Sequence, residues 1–350
     1  MKEKKYLTLY RTLKEKILSG QYENKLPSKR ILADRTGYSV ITVEKACQML
    51  TDEGYLIPKE RSGYFIAKPD VFQTPRETKA ISIPLLPEPS AATVPEFEYS
   101  LWFKTVRKVI SERREQLFIK SPNKGCAVLR NAISSYLLRY RGMVANPQQI
   151  IIGSGSEQLY ETVVKILGKD KIFGIEDPSY RQIEAVYSAE GVTVKKLPMA
   201  EDGILSDALY QSDFQVLHVT PFRSYPSGVT ASAAKRYQYI NWAKDSNYIV
   251  EDDFNSEFFL PGNPMESLYS LCRNERVIYM NTFSKSLSAS MRMGYLILPE
   301  HLLSRYEAVL GNFSCTVPVL DQYILAEFID SGNFERHLNR MRRKLKSTEQ

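Results

Sequence analysis

The chain has 350 residues, 43% apolar and 25% charged, with a formal net charge of +7. That length allows two or three domains, and that composition excludes a disordered or collagen-like plan. Four scattered cysteines (Cys47, Cys126, Cys272, Cys315) form no Cys-x-x-Cys pair, and His218, His301 and His337 lack ligand spacing, so neither a disulfide framework nor a metal is expected.

The charge is unevenly spread. Residues 1–70 carry 14 Lys and Arg against 9 Asp and Glu, residues 71–330 carry 27 against 29, and residues 331–350 carry 6 against 2. A basic end on a near-neutral body points to a polyanionic partner, although a solvated charged surface gives the same balance. The opening MKEKKYLTLYRTLKEKIL has no signal-peptide apolar core. No later run could span a membrane, so a cytoplasmic protein with no membrane partner is expected.

In chain order, Leu7, Leu9, Leu13, Ile17 and Leu18 form one face of a first helix that Gly20 ends. In the following LPSKRILADRTGYSVITVEKACQMLTDEGYL, Ser28 can cap a second helix running through Asp34, and Gly37 makes a turn. Ser39 can cap a third helix, with Val43, Ala46, Met49 and Leu50 inward and Gly54 as its stop. YLIP and GYFIA around KERSG then form a hairpin with a basic tip. A small helical domain with a hairpin would use the same residues. The ordered caps, turn and wing point instead to a winged helix-turn-helix, whose second motif helix enters the major groove.

This stretch resembles the GntR family of bacterial regulators. Leu26, Pro27, Ser28, Arg30, Leu32 and Ala33 match its first block; Ser39, Thr42 and Val43 match the second; Glu53, Gly54, Tyr55 and Leu56 match the third; Ser62 and Gly63 match the wing. The resemblance implies a double-stranded DNA operator as partner, contacted by Ser28, Arg30, Ser39, Thr42, Lys45, Arg61 and Gly63. Val40 stands where the family usually has arginine, removing one expected contact.

Residues 69–97 hold Pro69, Pro75, Pro84, Pro87, Pro89 and Pro95, a density that reads as an extended linker. The organisation is therefore residues 1–68 as the winged helix-turn-helix, 69–97 as the linker and 98–350 as the body. In the body, strands are expected at 149–153, 171–176, 192–197, 215–219, 248–252, 277–281 and 294–298, with helical stretches between several of them. Such alternation implies an α/β sheet, mostly parallel and buried on both faces.

NTFSKSLSASMRMGY (281–295) raises the question of a reactive lysine. The amine of Lys285 could form a Schiff base with pyridoxal phosphate. Such a site needs a phosphate cradle, a carboxylate for the pyridine nitrogen and a flat face for the ring. IIIGSGSEQLYETVVKIL reads as strand, turn and helix, with Gly155 and Ser156 at the helix start. YIVED brings Asp252 and Asp253 to a strand end, where open α/β sheets place ligands, and EDPSY offers Tyr180. Each feature also has a plain structural reading: a strand-to-helix turn, a capping carboxylate, a surface tyrosine.

Together, residues 98–350 resemble fold-type-I pyridoxal-phosphate aminotransferases, and the whole chain resembles the MocR-type branch of GntR regulators. The fold implied is α/β: an N-terminal winged helix-turn-helix joined by a Pro-rich linker to an αβα sandwich of the pyridoxal-phosphate transferase type. By that resemblance Lys285 is the catalytic, cofactor-bearing lysine and Asp252 pairs with the pyridine nitrogen. Tyr180 stacks on the ring, Tyr225 in TPFRSYPSG lies near the phenolic oxygen, and Gly155, Ser156, Ser284 and Arg292 hold the phosphate. Phe254 and the Arg223-Ser224 pair depart from the family's usual tyrosine and histidine-glutamine. The closing NFERHLNRMRRKLKSTEQ resembles the helix leading into a small C-terminal domain, which is itself expected to be missing.

The resemblance implies a homodimeric transcription regulator sensing an amino compound or pyridoxal phosphate, with its aminotransferase-like domain used for sensing and residual transaminase activity left open. An aminotransferase with an accessory DNA-binding domain is the alternative. A regulator with a cofactor-free body is a third reading, against which Lys285, Asp252 and Arg292 all stand.

Overall fold

Helix caps define the N-terminal elements of the chain, seen in a computed structural model that describes residues 5–22, 24–59, 62–67, 97–211, 213–244, 246–258, 266–272 and 275–348. Helix α1 (Lys5–Leu18) is followed by α2 (Lys29–Thr36) and α3 (Val40–Asp52). The Ser28 hydroxyl accepts from the Ile31 amide at 3.4 Å, and the Ser39 hydroxyl accepts from the Thr42 amide at 3.3 Å. Between the two helices Gly37 takes φ 69°, a left-handed turn that a side chain would strain. The hairpin β1 (Leu56–Lys59) and β2 (Gly63–Ile66) completes the winged helix-turn-helix.

The core of this fold gathers Leu9, Leu13, Ile17, Leu32, Val43, Cys47 and Leu50. The buried face of α1 differs from expectation at its end. Leu18 is 51% exposed, while Tyr10 and Lys14 turn inward. The cause is electrostatic as well as apolar. Lys14 Nζ lies 3.0 Å from Glu53 Oε2, the Tyr10 hydroxyl donates to Glu53 Oε1 at 2.6 Å, and the ammonium sits 4.6 Å from the Tyr55 ring centroid. Burial and the Glu53 carboxylate together raise the Tyr10 phenol above its ordinary range.

The remaining elements begin with α4 (Tyr99–Arg113), α5 (Ala127–Tyr136), β3 (Ile150–Gly153), α6 (Ser156–Leu167), β4 (Ile172–Asp177) and α7 (Arg181–Ala189). Next come β5 (Thr193–Ala200), β6 (Gly203–Ile204), α8 (Ser206–Gln211), β7 (Val216–Val219), α9 (Ala233–Trp242), β8 (Tyr248–Asp252) and α10 (Leu268–Leu271). Then follow β9 (Val277–Thr282), β10 (Gly294–Ile297), α11 (Leu303–Leu310), α12 (Val319–Asp330) and α13 (Asn333–Thr348). The chain divides into two compact units: residues 1–79 with 231–241, and residues 80–230 with 242–350. The six linker prolines lie outside the described residues.

All seven expected strands join one eight-stranded sheet of order β3-β10-β9-β8-β7-β4-β5-β6. Pairs β4–β5, β4–β7, β7–β8 and β8–β9 are parallel, while β10 runs against both its neighbours and β6 runs against β5. Successive side chains of a strand point to opposite faces. Accordingly Ile150, Ile152, Tyr279, Tyr295 and Ile297 join one core with α5 and α12, while Ile151, Ile278, Met280 and Leu296 join a second with α6 and α7. The body is therefore an αβα sandwich. No described helix is long and apolar enough to cross a membrane.

Removing one partner of a buried ion pair strands the other charge, at a cost of about 3–5 kcal/mol. Lys14→Met is therefore expected to destabilise the N-terminal unit by that order, and adding Glu53→Gln should recover most of the loss. Chemical denaturation of the full chain, comparing the single and double variants, checks this.

Candidate functional site

Strands β4, β7, β8 and β9 are mutually parallel, and β3 shares their direction because β10 opposes both it and β9. Their C-terminal ends therefore share one edge of the sheet. Gly155 and Ser156 follow β3, Tyr180 follows β4, Arg223 and Tyr225 follow β7, Asp252 ends β8, Ser284 and Lys285 follow β9, and Arg292 lies two residues before the start of β10. The sequence scatters these residues over more than a hundred positions, and the sheet topology returns them to one edge.

The two adjacent carboxylates at the end of β8 have separate duties. Asp253 is fully enclosed: Arg141 Nη2 donates to its Oδ2 at 2.8 Å, and the Tyr279 hydroxyl donates to the same oxygen at 2.8 Å. Asp252 takes the Tyr160 hydroxyl on Oδ2 at 2.6 Å, with His218 Nε2 3.6 Å away. Its Oδ1 has no hydrogen-bond partner among the described residues. His218 shares a 2.6 Å hydrogen bond between Nδ1 and the Tyr187 hydroxyl, and its buried Nε2 has no hydrogen-bond partner among the described residues. A carboxylate beside Nε2 favours the tautomer protonated there, which makes Nδ1 the acceptor from Tyr187.

Lys285 is open to solvent along part of its length, and its amine is partly enclosed. It lies 5.2 Å from the Phe254 ring centroid and 5.6 Å from that of Phe258, and it donates to Asn255 Oδ1. Asn255 Nδ2 in turn donates to the Arg223 carbonyl at 3.1 Å. Lost hydration, reinforced by the positive charge of Arg223, lowers the Lys285 amine to about 8. Arg223 holds φ 50°, an unfavourable region for a residue with a side chain. Ser224 donates to the buried Glu176 Oε2 at 2.5 Å, anchoring this loop, and burial raises the Glu176 carboxyl to about 8.

At the start of α6, Gly155 takes φ 95°, and a Cβ there would lie 3.0 Å from Arg292 Nη2. Glycine thus lets the guanidinium lie against the helix start, where unsatisfied backbone N–H groups favour an anion. A carboxylate of the chain already stands at this cation: Arg292 Nη2 pairs with Glu157 Oε2, and Gln182 Nε2 donates to Glu157 Oε1 at 3.1 Å. Tyr180, at the start of α7, packs edge-on to Tyr225 with centroids 5.9 Å apart. Its phenol is raised by burial first, then by Glu157 and Tyr225, against the lowering influence of Arg292.

The N-terminal unit presents a second surface. Arg30 and Lys45 are exposed, Ser28 and Ser39 spend their hydroxyls on helix caps, Thr42 is half-buried, and Gly63 opens β2 at the exposed hairpin tip. Lys45 Nζ rests 4.3 Å from the Tyr6 ring centroid. Arg61 lies outside the described residues.

Residues 5–66 match the family of bacterial regulatory proteins named gntR. The HTH-type transcriptional regulator YdeL of Bacillus subtilis (strain 168) is 33% identical, covering 97% of this chain and 76% of its own. The chain belongs to the MocR-type branch of the GntR regulators. A probable rhizopine catabolism regulatory protein, MocR of Rhizobium meliloti, is 28% identical over 96% of this chain and 73% of its own. LysN, an α-aminoadipate aminotransferase from Thermus thermophilus solved with N-(5'-phosphopyridoxyl)-L-leucine, matches with TM-score 0.63 and 26% identity. That match covers 75% of this chain, which spans 66% of the LysN chain. This MocR-type protein is thus a GntR-family HTH transcription regulator with an aminotransferase-like body, and its helix-turn-helix implies DNA binding.

Several residues of the regulator's site were not singled out by sequence. Tyr160, His218, Asn255, Arg141 and Glu157 carry no motif. His218 had one available signal: it pairs with Val250, two residues before Asp252 and therefore on the same sheet face. Because Glu157 occupies Arg292, we expect Glu157→Gln to strengthen binding of inorganic phosphate and pyridoxal phosphate several-fold. Titration calorimetry against the unaltered chain measures this, and weaker binding by the variant would contradict it.

Proposed function

We propose that this regulator binds operator DNA through its N-terminal unit and holds pyridoxal phosphate at Lys285 in order to sense an amino compound or the cofactor itself. One observation carries the reading: a lysine amine lowered to about 8 lies at the same sheet edge as a carboxylate with an uncommitted oxygen and an arginine against a helix start. The donor set suits the cofactor part by part. Gly155 and Ser156 supply backbone N–H groups for the phosphate, with Arg292 as the cation and Ser284 as a hydroxyl donor. Asp252 would accept a hydrogen bond from the protonated ring nitrogen, with Tyr160 holding its Oδ2 in place. Tyr180 offers an aromatic face and Tyr225 a phenol for the ring oxygen.

Bound pyridoxal phosphate supplies an aldehyde carbon that amines capture reversibly. The chain's own residues set which amine does so. Partial burial and the charge of Arg223 lower the Lys285 amine, so a substantial part of it is neutral near pH 8 and nucleophilic. Asn255 Oδ1 would hold the free amine of Lys285 by the hydrogen bond it makes in this structure. The effector shifts the protein between two arrangements by the difference in its affinity for them. We propose a homodimer, so that two winged helices engage two half-sites.

Purified protein mixed with pyridoxal phosphate is expected to develop a visible absorption band that Lys285→Ala abolishes; an unchanged band in the variant contradicts the reading. The sign of the pH dependence follows from the lowered amine. Capture should accelerate as pH rises through about 8 and level off above it, whereas an ordinary lysine would keep accelerating toward 10.5. Deleting residues 1–68 should abolish binding to operator DNA in a gel-shift assay. Enzyme-like turnover of an amino donor with a keto acid would favour the alternative of an aminotransferase with an accessory DNA-binding domain.

A further inference from the structure

The recognition helix α3 presents an outward stripe at positions 40, 41, 44, 45 and 48, the residues left exposed when Val43, Ala46, Cys47, Met49 and Leu50 enter the core. Three of the five are engaged by neighbours. Glu44 pairs with Lys29, Lys45 lies over the Tyr6 ring, and Gln48 Nε2 donates to Asp52 Oδ1 at 2.7 Å. The first two are apolar and β-branched. Val40 is 43% exposed and Ile41 is 77% exposed. Neither takes part in the winged-helix core. β-branched residues also favour a helix less than straight-chain ones, so folding alone gives no reason for this pair.

Their position supplies one. Ser39 caps α3, so Val40 and Ile41 occupy the first turn of the second helix of the helix-turn-helix. The N-terminal residues of that helix meet base edges in the major groove. In that groove the only apolar group on any base is the C5-methyl of thymine. Side chains without donors or acceptors gain nothing from guanine O6 and N7 or from the amino groups of adenine and cytosine, and they leave those groups desolvated.

We infer that Val40 and Ile41 read thymine methyl groups, so that the operator half-site carries A·T pairs beneath the first turn of α3. This rests on the reading of the N-terminal unit as a DNA-binding module and specifies the bases it prefers. Ile41, being more exposed, makes the larger contribution. Phosphate contacts from exposed cations such as Arg30 position the helix without sequence choice.

The test uses the full-length protein. Sequences are enriched from random duplex DNA, and each thymine of the enriched half-site is then replaced singly by deoxyuridine, which removes only the methyl group. Affinities are compared at one fixed salt concentration, because phosphate contacts make binding salt-dependent. At one or two thymines per half-site, deoxyuridine is expected to weaken binding about three- to tenfold, the range set by burying one methyl group. Ile41→Ala should bind the thymine and deoxyuridine duplexes nearly equally at its position. Ile41 lies outside the core, and the nucleotide replacement needs no protein variant, so misfolding does not confound the result. Half-sites indifferent to deoxyuridine at every thymine, or an Ile41→Ala protein that discriminates at every thymine as strongly as the unaltered chain, would overturn the inference while leaving DNA binding intact. Failure to enrich any sequence would overturn it together with the operator-binding reading.

Discussion

A sheet buried on both faces can offer chemistry only at its ends. In the body of this chain, alternate residues of β3, β9 and β10 enter opposite apolar cores, which leaves no strand face for a ligand. The parallel run of β4, β7, β8 and β9 then brings several C-terminal ends to one edge. The reversed β10 adds its N-terminal approach, and with it Arg292, to that same edge. The placement of Lys285, Asp252, Tyr180 and Arg292 follows from this constraint, because each lies at or just beyond a strand terminus.

Within that edge, neighbouring groups of the same chemistry are differentiated by their partners. Asp252 and Asp253 are consecutive acids of one segment. Arg141 and Tyr279 enclose Asp253, whose removal would leave a buried guanidinium uncompensated. Asp252 meets only hydroxyl and imidazole groups, so an oxygen remains for a ligand. The same division separates Glu157 from Glu176. Glu157 is half-buried on the arginine that would hold an anion, while Glu176 is enclosed and anchors the loop carrying Arg223 through Ser224.

Much of the fold was legible because its signals are local. Apolar runs of four to six residues marked every long strand of the sheet, and the caps Ser28 and Ser39 marked the starts of α2 and α3. The two-residue β6 was not legible, since it exists only through pairing with β5. Leu18 was assigned to the buried side of α1 but is exposed as the helix's last residue, and apolar spacing could not anticipate Lys14, which its buried pair with Glu53 draws inward. At the site, the residues recognised by type and motif are those at or just beyond the strand ends on one edge of the sheet. Those that support them, Tyr160, His218, Asn255 and Arg141, come from distant segments and acquire meaning only through distances. The Glu157–Arg292 pair spans 135 positions and leaves no local trace.

The departures at Phe254 and Arg223 both bear on the Lys285 amine in the structure. A phenylalanine at 254 gives the lysine an aromatic face in place of a hydroxyl, and Phe258 adds another. An arginine at 223 sets a second positive charge near the amine. The arginine charge disfavours the ammonium, whereas an aromatic face attracts it, so of the two departures only Arg223 lowers the amine. Asn255 works in the other direction, since its carbonyl oxygen gives the amine a neutral hydrogen-bond partner and its amide ties that partner to the Arg223 backbone. A neutral acceptor leaves the amine less firmly charged than a carboxylate would. The lysine is therefore held by a neutral partner, which suits the reversible capture proposed for it.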